Sequence, residues 1–313
     1  MMTENSELAE KPDIPDKDVL AEIDAVDELP TAPPKRRVKL SWLGKVSAAI
    51  VVFWLVICLI GPSIAPFHEM DIDGDDGFMG YHTNEYGTFY LGTDYLGRDT
   101  LSRVIYGARN TIGISLASTF LAYLIGITLG ILAAVKGGWI DMGISRVNDA
   151  ILALPTIMLG LIAIAWLGSS IPVLVGTASI IYASSVFRIA RALGQDIMVQ
   201  DFVEAAKARG EGAWWIIRSE VLPNAAMPLA TDFGLRLVFV VLFISSLSFL
   251  GLGVQPPAAD WGSMVRENLQ GLPYGSYAAI WPALAIAAFT IPINLIVDDV
   301  SAKSGGSLAS KMV

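Results

Sequence analysis

Six stretches of the chain carry almost no charge and are long enough to leave water: about 46–66, 111–135, 149–168, 171–188, 229–253 and 277–297. A bilayer's hydrocarbon core takes roughly 20 apolar residues in helical form, and VSAAIVVFWLVICLIGPSIAP at the first stretch is of that kind. The pattern predicts an all-α polytopic membrane protein with six spans. In the second span Gly126, Gly130 and Ala134 recur every fourth residue, a small-residue face suited to close helix packing. Only GSSIP separates the third span from the fourth, which predicts a tight antiparallel pair. Pro155, Pro282 and Pro292 fall inside spans, where neighbouring helices can satisfy the backbone they leave unpaired.

Basic residues set the orientation. Lys35, Arg36, Arg37, Lys39 and Lys45 precede the first span, and Lys136 and Arg146 flank the loop after the second. Arg188, Arg191, Lys207, Arg209 and Arg218 lie between the fourth and fifth, and Lys303 and Lys311 follow the sixth. The other side has only Arg98, Arg103, Arg109 and Arg266. Both termini are therefore expected in the cytoplasm. The transmembrane domain spans 41–300, with external segments at 67–110 and 254–276 and its largest cytoplasmic loop at 189–228.

Composition agrees, with 54% hydrophobic and 16% charged residues among 313. The net charge of −9 is concentrated in the first 34 residues, so residues 1–40 read as a disordered acidic tail and 301–313 as a short C-terminal one. The start of the chain lacks the basic residues and short apolar core of a signal peptide. Cys58 is the single cysteine, and His68 and His82 are the only histidines, so histidine-based catalysis has little material. A nickel site on those two histidines and a calcium site at DIDGDDG (71–77) are both weak readings. The latter has Asp76 where the calcium loop needs Gly and His82 where it needs Glu. GxxxxGK[ST] is absent, because WLGKVS (42–47) lacks the upstream glycine and the hydroxyl after Lys45.

Two polar constellations remain. Asp94, Arg98, Asp99 and Arg103 in GTDYLGRDTLSR predict a local network of ion pairs and a helix cap, with contact to a docking protein the sharper alternative. Asp232 and Arg236, four residues apart, share a helix face early in the fifth span, where charge is costly. They either neutralise one another or serve function. Trp42, Trp139, Trp166 and Trp281 sit near span ends as interfacial anchors.

The cytoplasmic loop contains EAAKARGEGAWWIIRSEVLP (204–223). Good helix formers lead to Gly210, suited to a left-handed bend, and AWWIIRSEVLP resumes a helical pattern with Trp214, Ile217 and Val221 on one side and Pro223 as its end. The spacing predicts two short helices about a glycine, either resting on the lipid surface or docking into another protein. Glu204, Ala205, Ala206, Gly210, Leu222 and Pro223 resemble the EAA loop of ABC importer permeases. LGTDYLGRDTLSRVIYGAR (91–109), with Gly92, Thr93, Asp94, Gly97, Arg98, Asp99 and Arg103, is similar to the external segment of the dipeptide, oligopeptide and nickel branch in its C-type subunit, as are KGGWID (136–141) and SFLGLGVQPPAADWG (248–262). The resemblance covers roughly 40–300. Glu220 departs from the aliphatic residue the pattern prefers, and NLIVDDVSAKSGGSLASKMV is an atypical ending.

This resemblance implies the type I importer permease fold and a coupling helix at Glu204–Gly210, with Trp214, Leu222 and Pro223 completing the contact to a cytoplasmic ATPase. It implies a sister permease, one or two ATPase subunits that bind ATP and Mg²⁺, and a periplasmic solute-binding protein. This chain would bind no cofactor, no metal and no nucleic acid, and would be no enzyme itself. Short peptides are the expected solute, with oligosaccharides, opine-like compounds and nickel chelates as alternatives. An ion-coupled carrier would need midplane ionisable residues and repeated halves, and an intramembrane enzyme would need a convergent catalytic set. Neither is visible.

Overall fold

A computed structural model describes residues 40–72 and 76–309. The expected acidic tail lies outside these residues but for Leu40, as do the centre of DIDGDDG and the last four positions. Ten helices run in order: α1 (Trp42–Ile64), α2 (Thr100–Lys136), α3 (Gly138–Leu152), α4 (Thr156–Leu167), α5 (Ile171–Met198), α6 (Asp201–Ala208), α7 (Ala213–Ile216), α8 (Leu222–Phe249), α9 (Trp261–Asn268) and α10 (Ile280–Ala309). A small antiparallel hairpin, β1 (His82–Thr83) with β2 (Thr88–Phe89), lies between α1 and α2.

Among the described residues five helices are long and apolar enough to cross a membrane, and a sixth crossing exists if the bent pair α3–α4 counts as one. The third expected span, 149–168, is therefore not a single helix. α3 and α4 meet at 89° across Ala153–Pro155. Proline lacks an N–H and disfavours helical geometry in the residue before it, so Pro155 stops α3 rather than being carried within a span. Other boundaries move outward. α2 begins at Thr100, inside the expected external segment 67–110, because the Asp99 carboxylate accepts from the Ser102 N–H at 2.7 Å and caps it. α10 continues to Ala309, so most of the expected C-terminal tail is helix.

α2 and α5 pack backbone to backbone. A Cβ built on Gly126 would stand 2.6 Å from Val186 Cβ and 2.8 Å from the Ala183 carbonyl oxygen. One on Gly130 would stand 2.7 Å from the Phe187 carbonyl oxygen, and one on Gly194 would stand 2.7 Å from Ala134 Cβ. The small-residue face read from the sequence is this seam, with Gly194 completing it from the α5 side. Arg191 on α5 pairs with Asp141 on α3 and ties the bent element to the same helix.

Three buried clusters surround the seam. One joins α1, α2, α8, α9 and α10 around Trp261 and Phe289, and a second joins α2, α4, α5 and α8 around Leu174, Phe243 and Leu247. The third gathers Ile131, Ala190, Val203, Ile216, Val221, Ala225 and Leu229. At one end of the bundle the Tyr106 hydroxyl donates to the Pro62 carbonyl at 3.3 Å and the Phe67 N–H to the Ser102 hydroxyl at 3.0 Å. At the other, the Ser41 N–H donates to Asp299 at 2.7 Å, joining the start of α1 to the second half of α10. Of the expected anchors, Trp42, Trp139 and Trp166 are exposed, while Trp281 packs against the first cluster.

Gly130→Leu drives a side chain into the α5 backbone, and overpacking typically costs about 1–3 kcal/mol. The expected outcome is a clearly lower Tm for the detergent-purified protein. Gly176→Ala, on an α5 surface where no neighbouring helix of the described residues comes within 4 Å of the new Cβ, does not lower Tm.

Candidate functional site

The sequence-predicted residues collect at opposite ends of the α2–α5 seam. At the end expected to be external, the Asp94 carboxylate is the hub. Its Oδ1 accepts from the N–H groups of Leu96 (2.9 Å) and Arg98 (3.0 Å), and its Oδ2 from Arg98 Nε at 2.7 Å. Arg103 Nε stands 3.3 Å from the same oxygen. Both guanidinium groups also reach Glu267 on α9, at 3.3 and 3.5 Å, and Arg103 Nη1 donates to the Glu69 carbonyl at 3.0 Å. Gly92 and Gly97 take positive φ, and a Cβ on Gly92 would strike the Met79 carbonyl. The Thr93 hydroxyl donates to the Asp76 carbonyl at 2.8 Å and accepts from the Met79 N–H at 2.9 Å. Asp94, Arg98, Asp99 and Arg103 are all buried.

This is the local network of the first reading, and its burial removes the four charges from the surface a docking protein would touch. Burial also pushes the Asp99 carboxyl above its ordinary range, opposed by its bonds to Ser102. Glu267 and Asn268, whose Oδ1 accepts from the Tyr95 N–H at 3.1 Å, were not singled out in the sequence. They lie more than a hundred and fifty residues away, and no local spacing points to them. α9 itself is held by Trp261, fully buried, whose indole N–H donates to the Val104 carbonyl at 2.9 Å, and by Asp260, which caps α9 and accepts from the Thr111 hydroxyl at 2.8 Å. His68 and His82 are occupied by ring contacts with Tyr106 and Phe89, respectively.

At the other end, α6 carries Glu204, Ala205 and Ala206. Val203 and Ala206 are fully buried, while Glu204, Ala205, Lys207 and Arg209 face outward. Gly210, at φ +83°, closes the helix as expected: its N–H donates to the Lys207 carbonyl (2.9 Å) and the Glu211 N–H to the Ala206 carbonyl (3.2 Å). Those two bonds form the Schellman arrangement that consumes a helix's last carbonyls. Val203 was missed because the short α6 offers only Val203 and Ala206, three apart, as its buried pattern.

The second half of the segment corrects the sequence reading. α7 does not end at Pro223. It runs through a π-helical turn, Ile217–Val221, directly into α8, so that helix extends from Ala213 to Phe249. Pro223 has no N–H to give, and the Leu222 N–H reaches back five residues to the Ile217 carbonyl. Widening the turn by one residue also shifts the buried face. It becomes Ile216, Val221, Ala225 and Leu229 rather than Trp214, Ile217 and Val221, and Trp214 is 73% exposed. Leu222 and Pro223 are exposed too. Of the expected loop 189–228, only about 199–212 lies outside the long helices.

Between the two ends lies the pair noted in the fifth span. Asp232 is buried and accepts from Arg236 Nε at 3.2 Å and, unforeseen, from the hydroxyl of Tyr123 on α2.

Removing one partner of a buried ion pair costs about 3–5 kcal/mol. Asp94→Ala, which strands two buried guanidinium groups, is expected to lower Tm or abolish accumulation. Arg98→Glu behaves the same way, and wild-type thermal stability in either variant contradicts the hub assignment.

Residues 126–301, over half the chain, match the family described as the binding-protein-dependent transport system inner membrane component. The glutathione transport system permease protein GsiD of Pectobacterium atrosepticum is 30% identical over 258 residues, covering 80% of this chain and 84% of that protein. The dipeptide transport system permease protein DppC of Alkalihalophilus pseudofirmus is 29% identical over 269 residues, covering 84% and 85%. Among solved structures, an inward-facing MetNI methionine ABC transporter matches with a TM-score of 0.54 at 17% identity, over 64% of this chain and 95% of the other, a likeness of fold. The chain belongs to the binding-protein-dependent inner membrane transport family and is a multi-pass permease subunit of an ABC importer.

Proposed function

We propose that this permease carries peptide-type solutes inward and that α6 with its Gly210 bend is the element on which a cytoplasmic ATPase acts. The observation that carries the coupling assignment is the way the segment is anchored. Val203 and Ala206 are sunk in a core with Ile216 and Val221, while Glu204, Ala205 and Lys207 stay outward, next to the start of a helix that runs from Ala213 to Phe249. A surface held in this way can receive a rigid-body displacement and pass it along α8.

The energy comes from ATP with Mg²⁺ in one or two partner subunits, since this chain lacks the GxxxxGK[ST] loop that cradles phosphates. A sister permease completes the pathway, and a soluble binding protein delivers solute to the side bearing the Asp94 network. The basic residues that crowd the α6 end support its cytoplasmic placement. The peptide-type solute is supported by the relatives named for glutathione and dipeptide transport.

Glu204→Lys reverses an exposed charge on α6. Gly210→Val forces a β-branched residue into left-handed backbone, at a cost of about 1–2 kcal/mol, with no atom of the described residues beyond its chain neighbours within 4 Å of its Cβ. Uptake by the reconstituted complex is expected to fall at least about tenfold, equivalent to ~1.4 kcal/mol, while ATP hydrolysis continues. Gly210→Asn, which tolerates the left-handed region, retains more transport. Wild-type uptake by both Glu204→Lys and Gly210→Val removes α6 as the coupling element.

A further inference from the structure

Asp232 and Arg236 form an ion pair in the middle third of the long apolar helix Ala213–Phe249. Arg236 lies about 20 Å along α8 from its Phe249 end, and Tyr123 about 20 Å along α2 from Lys136, at ~1.5 Å per residue. With the fifth span at its expected 229–253, Arg236 lies about 10 Å inside the hydrocarbon core and Asp232 nearer its edge.

The three side chains are arranged in order of burial. The Tyr123 hydroxyl, enclosed between α2 and α8, donates to Asp232 Oδ2. Asp232 Oδ1 accepts from Arg236 Nε and faces Arg236 Nη2, both at 3.2 Å. Its side chain is 10% exposed, whereas that of Arg236 is 21% exposed. Among the described residues, Arg236 Nη1 has no hydrogen-bond acceptor. The guanidinium carbon lies 5.8 Å from the ring centre of Phe239, one turn along, and both Phe239 and Leu242 are exposed on that face of α8. The Tyr182 hydroxyl donates to the Phe239 carbonyl at 3.0 Å and holds α5 against the same turn.

The pair therefore presents its positive end outward and its negative end inward. Acyl chains are a poor cover for a guanidinium with free donors at this depth, where ionisable groups face water-filled cavities or protein. A fixed planar fork with unused N–H groups suits a carboxylate. We propose that Arg236 lines the solute pathway and offers its guanidinium to the carboxylate of a passing solute, with Asp232 and Tyr123 as positioning residues. The identity of that carboxylate, a peptide C-terminus, rests on the peptide-type reading above; the placement of Arg236 on the pathway does not.

The test uses the assembled, reconstituted complex with Cys58→Ser removing the only native thiol of this chain. Phe239→Cys then places a reporter beside Arg236. Two membrane-impermeant thiol reagents of like size are compared with and without ATP: the sulfonatoethyl and trimethylammonioethyl methanethiosulfonates. Both are expected to react in at least one state, with the sulfonate favoured. Arg236→Gln should lower the sulfonate-to-ammonium rate ratio by roughly fivefold, as a unit charge at this distance implies, and Arg236→Lys should preserve most of it. A reporter inert to both reagents in both states, confirmed with Leu242→Cys, means the face is covered and overturns the proposal, as does a ratio indifferent to Arg236→Gln. Uptake of a labelled dipeptide against its C-terminal amide reads the solute separately. Narrowed discrimination in Arg236→Gln supports the carboxylate assignment, and unchanged discrimination contradicts it. A wild-type complex that imports no peptide retires the peptide reading, while the thiol ratio still decides whether Arg236 lines the pathway.

Discussion

Two helices that meet without intervening side chains give the described chain its strut. Gly126 and Gly130 on α2, and Gly194 on α5, bring backbone within van der Waals reach of backbone, leaving no room even for a methyl group. In lipid, where burial of apolar surface offers little drive for helices to associate, such close packing is a principal source of cohesion. α2 rises from this seam to the Asp94 network, and α5 descends from it to α6. The Asp94 network and the segment assigned to ATPase contact are thus mounted on the two ends of one rigid pair.

The second mechanical element is α8. Because the π-helical turn absorbs the missing N–H of Pro223, the helix that begins at Ala213 beside the Gly210 bend continues to Phe249. Tyr123, Asp232 and Arg236 form a polar cross-link between α8 and the strut partway along. On the proposed reading, a displacement at α6 would enter α8 through the Val203, Ile216 and Val221 core and meet this cross-link before reaching the Asp94 network. The proposed coupling element, the long helix and its charged pair are thereby joined by continuous covalent and packed contact.

Much of this was legible in the residues. Hydropathy located the apolar segments, the every-fourth-residue glycines located the seam, and Gly210 located the bend, because each signal is local and has one physical cause. What escaped depends on direction or on distance. A hydropathy window averages over Pro155 and cannot report that α3 and α4 turn through 89° there. Helical periodicity assumes a constant turn, so the wide turn before Pro223 moved the buried face from Trp214 to Ile216 and hid the continuity of α7 with α8. Glu267 and Tyr123 complete charge networks whose other members were recognised, yet each comes from a different helix. A burial cost identifies that a charge needs a partner without saying where in the chain the partner stands.

The central claim is that the outward face of α6 and α7 is a protein contact rather than a lipid contact. A photo-crosslinking amino acid at Ala205 and, separately, at Trp214 tests it most directly in intact inner membranes. The account predicts that irradiation joins both positions to one polypeptide, identified by mass spectrometry as a nucleotide-binding ATPase subunit, with a yield that changes when ATP is trapped. Adducts confined to lipid at both positions contradict it and return this segment to an amphipathic helix resting on the membrane surface.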